Sequence, residues 1–119
     1  MSWYIAKVVY RIVCGNGEHT PQYEEQLRLV EASSKGEAFK KAMQMGIKEE
    51  VQFLNQQQKL VHWKFIDVSE LYQLHEVADG TEIYSRIEEK DDADIFEVLV
   101  HAKASFILAE SNQTFLQAI

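Results

Sequence analysis

The residues whose chemistry reaches beyond packing are four histidines, one cysteine, three arginines and a run of carboxylates. His19, His62, His75 and His101 show no metal-ligand spacing. His62, His75 and Asp67 could make a metal or acid–base centre only if the fold gathered them, and nothing in their separation does so. Cys14 is the single cysteine, so it has no disulfide partner in the chain and no CxxC pairing. It ends a β-prone run and reads as a structural thiol before a nucleophile. The carboxylates from Glu88 to Asp94 lack the spacing of a calcium loop and read as a turn entering a helix cap. Gly15-Asn16-Gly17 is followed by no Gly-Lys-Ser/Thr and no helix, so it reads as a hairpin turn rather than a phosphate cradle. No cofactor or metal is implied, and the expectation leans away from an enzyme.

The cations carry more information, because the elements that would hold them are readable. Residues 3–14 are rich in Trp, Tyr, Ile and Val and free of Gly and Pro, which predicts a strand. Its even positions, Tyr4 to Cys14, are apolar or aromatic and should face the core. Its odd positions mix Trp3, Ile5 and Val9 with Lys7 and Arg11. A Gly-rich turn leads to a second strand, Gln22–Ala32, in which Tyr23, Leu27 and Leu29 share one face, and Gln26, Arg28 and Val30 the other. Ser34 with Glu37 three residues on is a capping box. Phe39, Ala42, Met43, Ile47, Val51 and Leu54 then recur at helical spacing. One helix weakened at Gly46 is expected, with residues 47–55 as a separate element the other possibility. "LVHWKFIDV" predicts a third strand, with Val61, Trp63 and Phe65 inward and a bulge near Ile66–Asp67 that turns Val68 in and Asp67 out. "TEIYSRIEE" predicts the fourth. A second helix, capped by Asp91 or Asp92, carries Ile95, Leu99, Ala102 and Phe106 as its main stripe.

The order β-β-α-β-β-α predicts an α+β fold: a four-stranded antiparallel sheet with two helices on one face. The other face is left to water or a partner. Lys7, Arg11, Arg28, His62, Lys64 and Arg86 would point to that open face, with Tyr84 among them. They are the binding candidates. Trp3, Ile5 and Val9 are the interface candidates. Glu24, Glu82 and Glu88 could neutralise the cations by cross-strand pairing, which reduces the face to ordinary surface.

One domain over residues 1–119 is expected, its ordered core from about 3 to 109, with residues 110–119 frayed or docked through Phe115 and Leu116. The net charge of −7 disfavours nucleic acid as a partner. Lys7 and Arg11 interrupt the N-terminal apolar run, so neither a signal peptide nor a membrane span is read there. With one cysteine, a cytoplasmic protein is the expectation.

The segments "WYIAKVVYRIV", "HTPQYEEQLRLVEA", "LVHWKFIDVSELYQL" and "DGTEIYSRIEE" resemble a small bacterial family, domain of unknown function number 4288, over about residues 3 to 107. The resemblance implies a bacterial, cytoplasmic, single-domain protein. It implies no activity and transfers no catalytic or binding residue. The functional expectation is therefore a non-enzymatic interaction module that uses the open sheet face for homodimerisation or for an acidic partner. The alternatives are a small-molecule or phosphate-ligand binder on that face, and an antitoxin-like or immunity-like neutraliser of a basic protein that uses acidic helix surfaces.

Overall fold

The β-prone run at the start forms the longest-shared strand of the sheet, β1 (Ser2–Cys14). The computed structural model describes the backbone of residues 1–118 and the side chains of residues 1–111. Beside β1 lies β2 (Gln22–Ala32). Helix α1 (Lys35–Lys48), β3 (Val51–Leu54), β4 (Leu60–Leu74) and α2 (Ala93–Ala118) follow. The fold is α+β: an antiparallel four-stranded sheet in the order β2-β1-β4-β3, with two helices. The chain divides into two compact units, residues 1–85 and 86–119.

The β-β-α-β-β-α order matches the expectation, but two elements differ in identity. Residues 51–54 are a strand and not helix. Helix α1 stops at Lys48, with the Glu49 amide donating to the Met45 and Ile47 carbonyls. "VQFL" then pairs with Leu60–Trp63. Its Val and Phe lie at alternate positions, so the same residues satisfy a helical or a strand period. "TEIYSRIEE", expected as a strand, is irregular. The fourth ladder position belongs instead to the 15-residue β4, which runs on through "SELYQL".

Gly46 is not a break. A Cβ there would sit 2.4 Å from the Phe65 ring, and the Tyr10 hydroxyl donates to the Gly46 carbonyl at 2.7 Å. Beyond Lys48 that carbonyl has no helical amide to accept from, so Tyr10 caps the C-terminus of α1 from the sheet. The Tyr10 phenol is held above its ordinary pKa, chiefly by burial. At the other end, Ser34 Oγ accepts from the Glu37 amide at 3.2 Å. The Glu37 carboxylate reaches one residue further back than a capping box requires, to the Ser33 amide and hydroxyl.

Helix α1 covers one sheet face. The core there is Tyr4, Ala6, Val8 and Tyr10 of β1, Val30 and Ala32 of β2, Ala38 and Ala42 of α1, and Val68 of β4. The even face of β1 is thus the core face, as its pattern requires. On β4 the bulge falls where expected: Phe65 pairs with Tyr10 and Asp67 with Val9, leaving Ile66 extra. Val68 is buried and Asp67 exposed. A second irregularity at Ser69 follows from Val68 pairing with Val8 and Glu70 with Lys7. Trp63 lies on the core face but is only half-buried, because β3 beside it is four residues long. Its ring stacks on Phe53 with centroids 6.0 Å apart.

The second unit contains α2. The Asp92 carboxylate accepts from the Ile95 amide at 3.0 Å, so Asp92 is the cap. The side chains of Phe115 and Leu116, expected to dock, lie outside the described residues.

Candidate functional site

Residues directly opposite in a ladder share a face, so the register places every candidate. Odd positions of β1 define the face away from α1: Trp3, Ile5, Lys7, Val9, Arg11 and Val13. Their partners are Glu31, Leu29, Leu27, Glu25 and Tyr23 on β2, and Leu74, Tyr72, Glu70, Asp67, Lys64 and His62 on β4.

The structure brings Lys7, Arg11, His62 and Lys64 to this face, as the alternation predicts. It does not bring Arg28, which pairs with Ala6 on the α1 side. There its guanidinium bonds the Gln26 side chain and the Glu49 carboxylate just after α1. Val30 likewise turns inward, and Leu27 and Leu29 turn out. The two faces of β2 are thus exchanged relative to expectation, because "LRLVEA" carries apolar residues in both phases. The turn, with Gly15 and Gly17 at positive φ, fixes Ile12 opposite Gln22 and so sets even against even. Arg86 is in the second unit, ion-paired to Glu88 at 2.6 Å. Tyr84 is in no strand, yet it joins the face.

The half of the face near Ser2 is closed by the chain itself. The segment after β4 turns at Gly80 (φ 86°), with Ala78 and Thr81 exchanging hydrogen bonds. It places Val77 and Ile83 around Ile5, Leu29 and Leu74, and Ile5 is only 4% exposed. Ile5 is therefore not an interface anchor. Trp3 remains 39% exposed and Val9 is half-buried, so the apolar group expected to drive self-association through the sheet is reduced to its edges. Lys7 is boxed in as well. Its ammonium lies 2.6 Å from Glu70, 3.6 Å from Glu25 and 5.2 Å from the Tyr84 ring centroid. The Glu70 hydrogen bond first, and then the charges of Glu25 and Glu70, raise its pKa against the opposing effect of burial. Tyr72 donates to Glu70 at 3.0 Å, which raises the Tyr72 phenol pKa, and its ring meets Tyr84 edge-on.

The other half is different. Arg11 stands directly opposite Lys64. His62, next on that face of β4, contacts Glu50 at 2.6 Å. No carboxylate lies within 4.0 Å of Arg11 or Lys64 among the described residues, whereas the strand cations Lys7 and Arg28 are ion-paired. The Arg11 Nε is buried and has no hydrogen-bond partner among the described residues. Its guanidinium carbon lies 6.0 Å from the Tyr23 ring centroid. Tyr23 is itself exposed and is not among the expected candidates, because the sequence sets it on the face of β2 opposite Arg28.

A cleft of about 810 Å³ opens at the β1–β2 turn, lined by Cys14, Glu18, His19 and Lys59 among others. Its imidazole and thiol are engaged in structure. His19 Nε2 accepts from the Cys14 amide at 3.0 Å and Nδ1 lies 2.9 Å from the Thr20 carbonyl. The Cys14 Sγ accepts from Asn55 Nδ2 at 3.7 Å. His19 thus serves the turn through backbone groups and makes no thiol–imidazole pair. Among the described residues, no three His, Cys, Asp or Glu are placed to hold a metal ion. Nor is any helix among them long and apolar enough to cross a membrane.

A family model described as domain of unknown function (DUF4288) matches residues 3–85. The match ends where the first compact unit ends, short of the residue 107 suggested by the sequence. No curated protein and no solved structure matches the chain.

Proposed function

We propose that this chain, which belongs to the DUF4288 family, is a non-catalytic interaction module whose open sheet face holds a carboxylate-bearing segment of an acidic partner protein. One observation supports this above the rest: Arg11 and Lys64 are adjacent like charges with no carboxylate within 4.0 Å among the described residues, in a chain with 19 acidic residues to draw on. Like charges directly opposite across a ladder destabilise it. A site kept at the expense of stability is the usual mark of use. A half-exposed guanidinium set by a tyrosine ring suits capture of a carboxylate through its terminal nitrogens, and Lys64 adds a point charge.

The test is binding of an Asp/Glu-rich peptide to the wild type and to Arg11→Gln with Lys64→Gln, read by titration calorimetry. The expected result is at least a tenfold loss of affinity in the double variant, with sodium chloride weakening wild-type binding. The variant's melting temperature should hold or rise slightly, because the repulsion is gone. Equal affinity in both proteins refutes the reading. Stabilisation of the wild type by inorganic phosphate, with no peptide binding, would shift the site to a small anionic ligand.

A further inference from the structure

Helix α2 has no single apolar stripe. Ile95, Leu99, Ala102, Phe106 and Ala109 fall at alternating four- and three-residue steps and make one seam. Phe96, Val100 and Ile107 make a second stripe beside it, and Val98 and Leu108 extend the apolar surface further. At 100° per residue these positions, Leu108 apart, fall within about 200°, with Lys103 and Glu110 between the seam and the second stripe, which is wider than the single face of a surface helix. Ile95, Leu99, Phe106 and Ile107 are 54–66% exposed. Eight large apolar side chains of α2 are exposed in this way, and at about 100 Å² each they amount to roughly 800 Å² per chain. A two-helix pairing covers the seam side of this surface, with Ile95, Val98, Leu99 and Phe106, and leaves Phe96, Val100, Ile107 and Leu108 outside it.

We propose that the chain self-associates through α2, which pairs antiparallel with α2 of a second copy along the Ile95–Ala109 seam. The seam is complementary to itself in that sense alone. Antiparallel pairing in the register that sets Leu99 against the other copy's Ala109 also sets Phe106 against its Ala102. Both pairings recur by the two-fold axis, so every central layer matches one large residue with one alanine. Parallel pairing would set Phe106 against Phe106 and alanine against alanine. Lys103 and Glu110 border the seam on the same side, so the antiparallel arrangement also directs a lysine of each helix towards acid on the other. The seam uses none of the residues of the Arg11–Lys64 site, and the two proposals stand or fall independently.

Sedimentation equilibrium of the full chain at micromolar concentration reads the result directly. Twice the 13.8 kDa chain mass is expected. A monomer mass overturns the proposal, whatever any variant does. Leu99→Glu with Phe106→Glu should return a monomer whose tryptophan fluorescence matches the wild type, since both tryptophans lie in residues 1–85. A double variant that remains dimeric overturns the proposal. Orientation is tested by Ser105→Cys in a Cys14→Ser background. Ser105 flanks the two-fold axis in the antiparallel register, so mild oxidation should give a disulfide-linked dimer; failure to cross-link while the mass stays dimeric overturns the antiparallel arrangement.

Discussion

Gly46→Ala sets two effects of known sign against each other. In an exposed helix the change would stabilise by about 1 kcal/mol, through lower backbone entropy in the unfolded chain. Here the new methyl would lie 2.4 and 2.6 Å from two Phe65 ring carbons and 3.1 Å from Val8 Cγ1. Ordinary contact begins near 3.4 Å, so the ring must retreat by close to 1 Å. It has little room to do so. The Phe65 ring lies edge-on to Tyr10 with centroids 6.0 Å apart, and Tyr10 and Val8 are fully buried. Overpacking of this kind costs about 1–3 kcal/mol. Pushing α1 outward would also stretch the Tyr10–Gly46 hydrogen bond, whose loss costs roughly 0.5–1.5 kcal/mol. The clash outweighs the propensity gain, and net destabilisation of about 1–3 kcal/mol is expected. Urea unfolding followed by tryptophan fluorescence measures it, since Trp3 and Trp63 both report on residues 1–85. Phe65→Leu in the Gly46→Ala background should recover part of the loss, and the double-mutant cycle gives the coupling. A Gly46→Ala protein as stable as the wild type would refute the claim that Gly46 is there for close approach.

Two further outcomes follow from the ends of α1. Tyr10→Phe should lower stability by about 1–3 kcal/mol, because it leaves the Gly46 carbonyl buried without a donor; an unchanged urea midpoint would mean that water takes over. The Ser33 hydroxyl and amide hold the Glu37 carboxyl below its ordinary pKa. Its folded value is lower than its unfolded one, so its contribution is present above the usual glutamate value and is lost as pH falls through the folded value. Protection of the amides at the start of α1, taken relative to their intrinsic exchange rate at each pH, should therefore fall in acid in the wild type, and the Glu37→Gln protein should show the lower protection already at neutral pH.

Much of the fold was legible because the strong patterns have only one structural solution. The even face of β1 is apolar without exception, and it became the core. The bulge at Ile66 was legible because the alternation of β4 would otherwise bury Asp67. Misreadings arose where a segment satisfies two patterns at once. "VQFL" fits either a helix or a strand, and its neighbour decided: Leu60–Trp63 offered an unpaired edge that a short strand could fill. "LRLVEA" is apolar in both phases, so only the turn register could orient Arg28. "TEIYSRIEE" alternates well enough for a strand, but β4 continues through "SELYQL" and takes that place in the sheet.

The same logic separates the cations of the candidate site. Their types and alternation put Lys7 and Arg11 on one face, two turns of the pleat apart, with nothing to distinguish them. Register distinguishes them. The bulges at Ile66 and Ser69 shift β4 so that Glu70 meets Lys7, while Arg11 meets Lys64. Had the ladder run without irregularity from Arg11–Lys64, Lys7 would have faced Val68, which the bulges instead deliver to the core beside Val8. The two irregularities thus achieve two things together: they bury Val68 and they give Lys7 its carboxylate. Arg11, on the far side of both, is left beside a like charge, with the Tyr23 ring near its guanidinium. An acidic chain could have answered Arg11 with one substitution at position 64. That it presents Lys64 there is the reason this end of the sheet, and not the ion-paired end, is the surface to test.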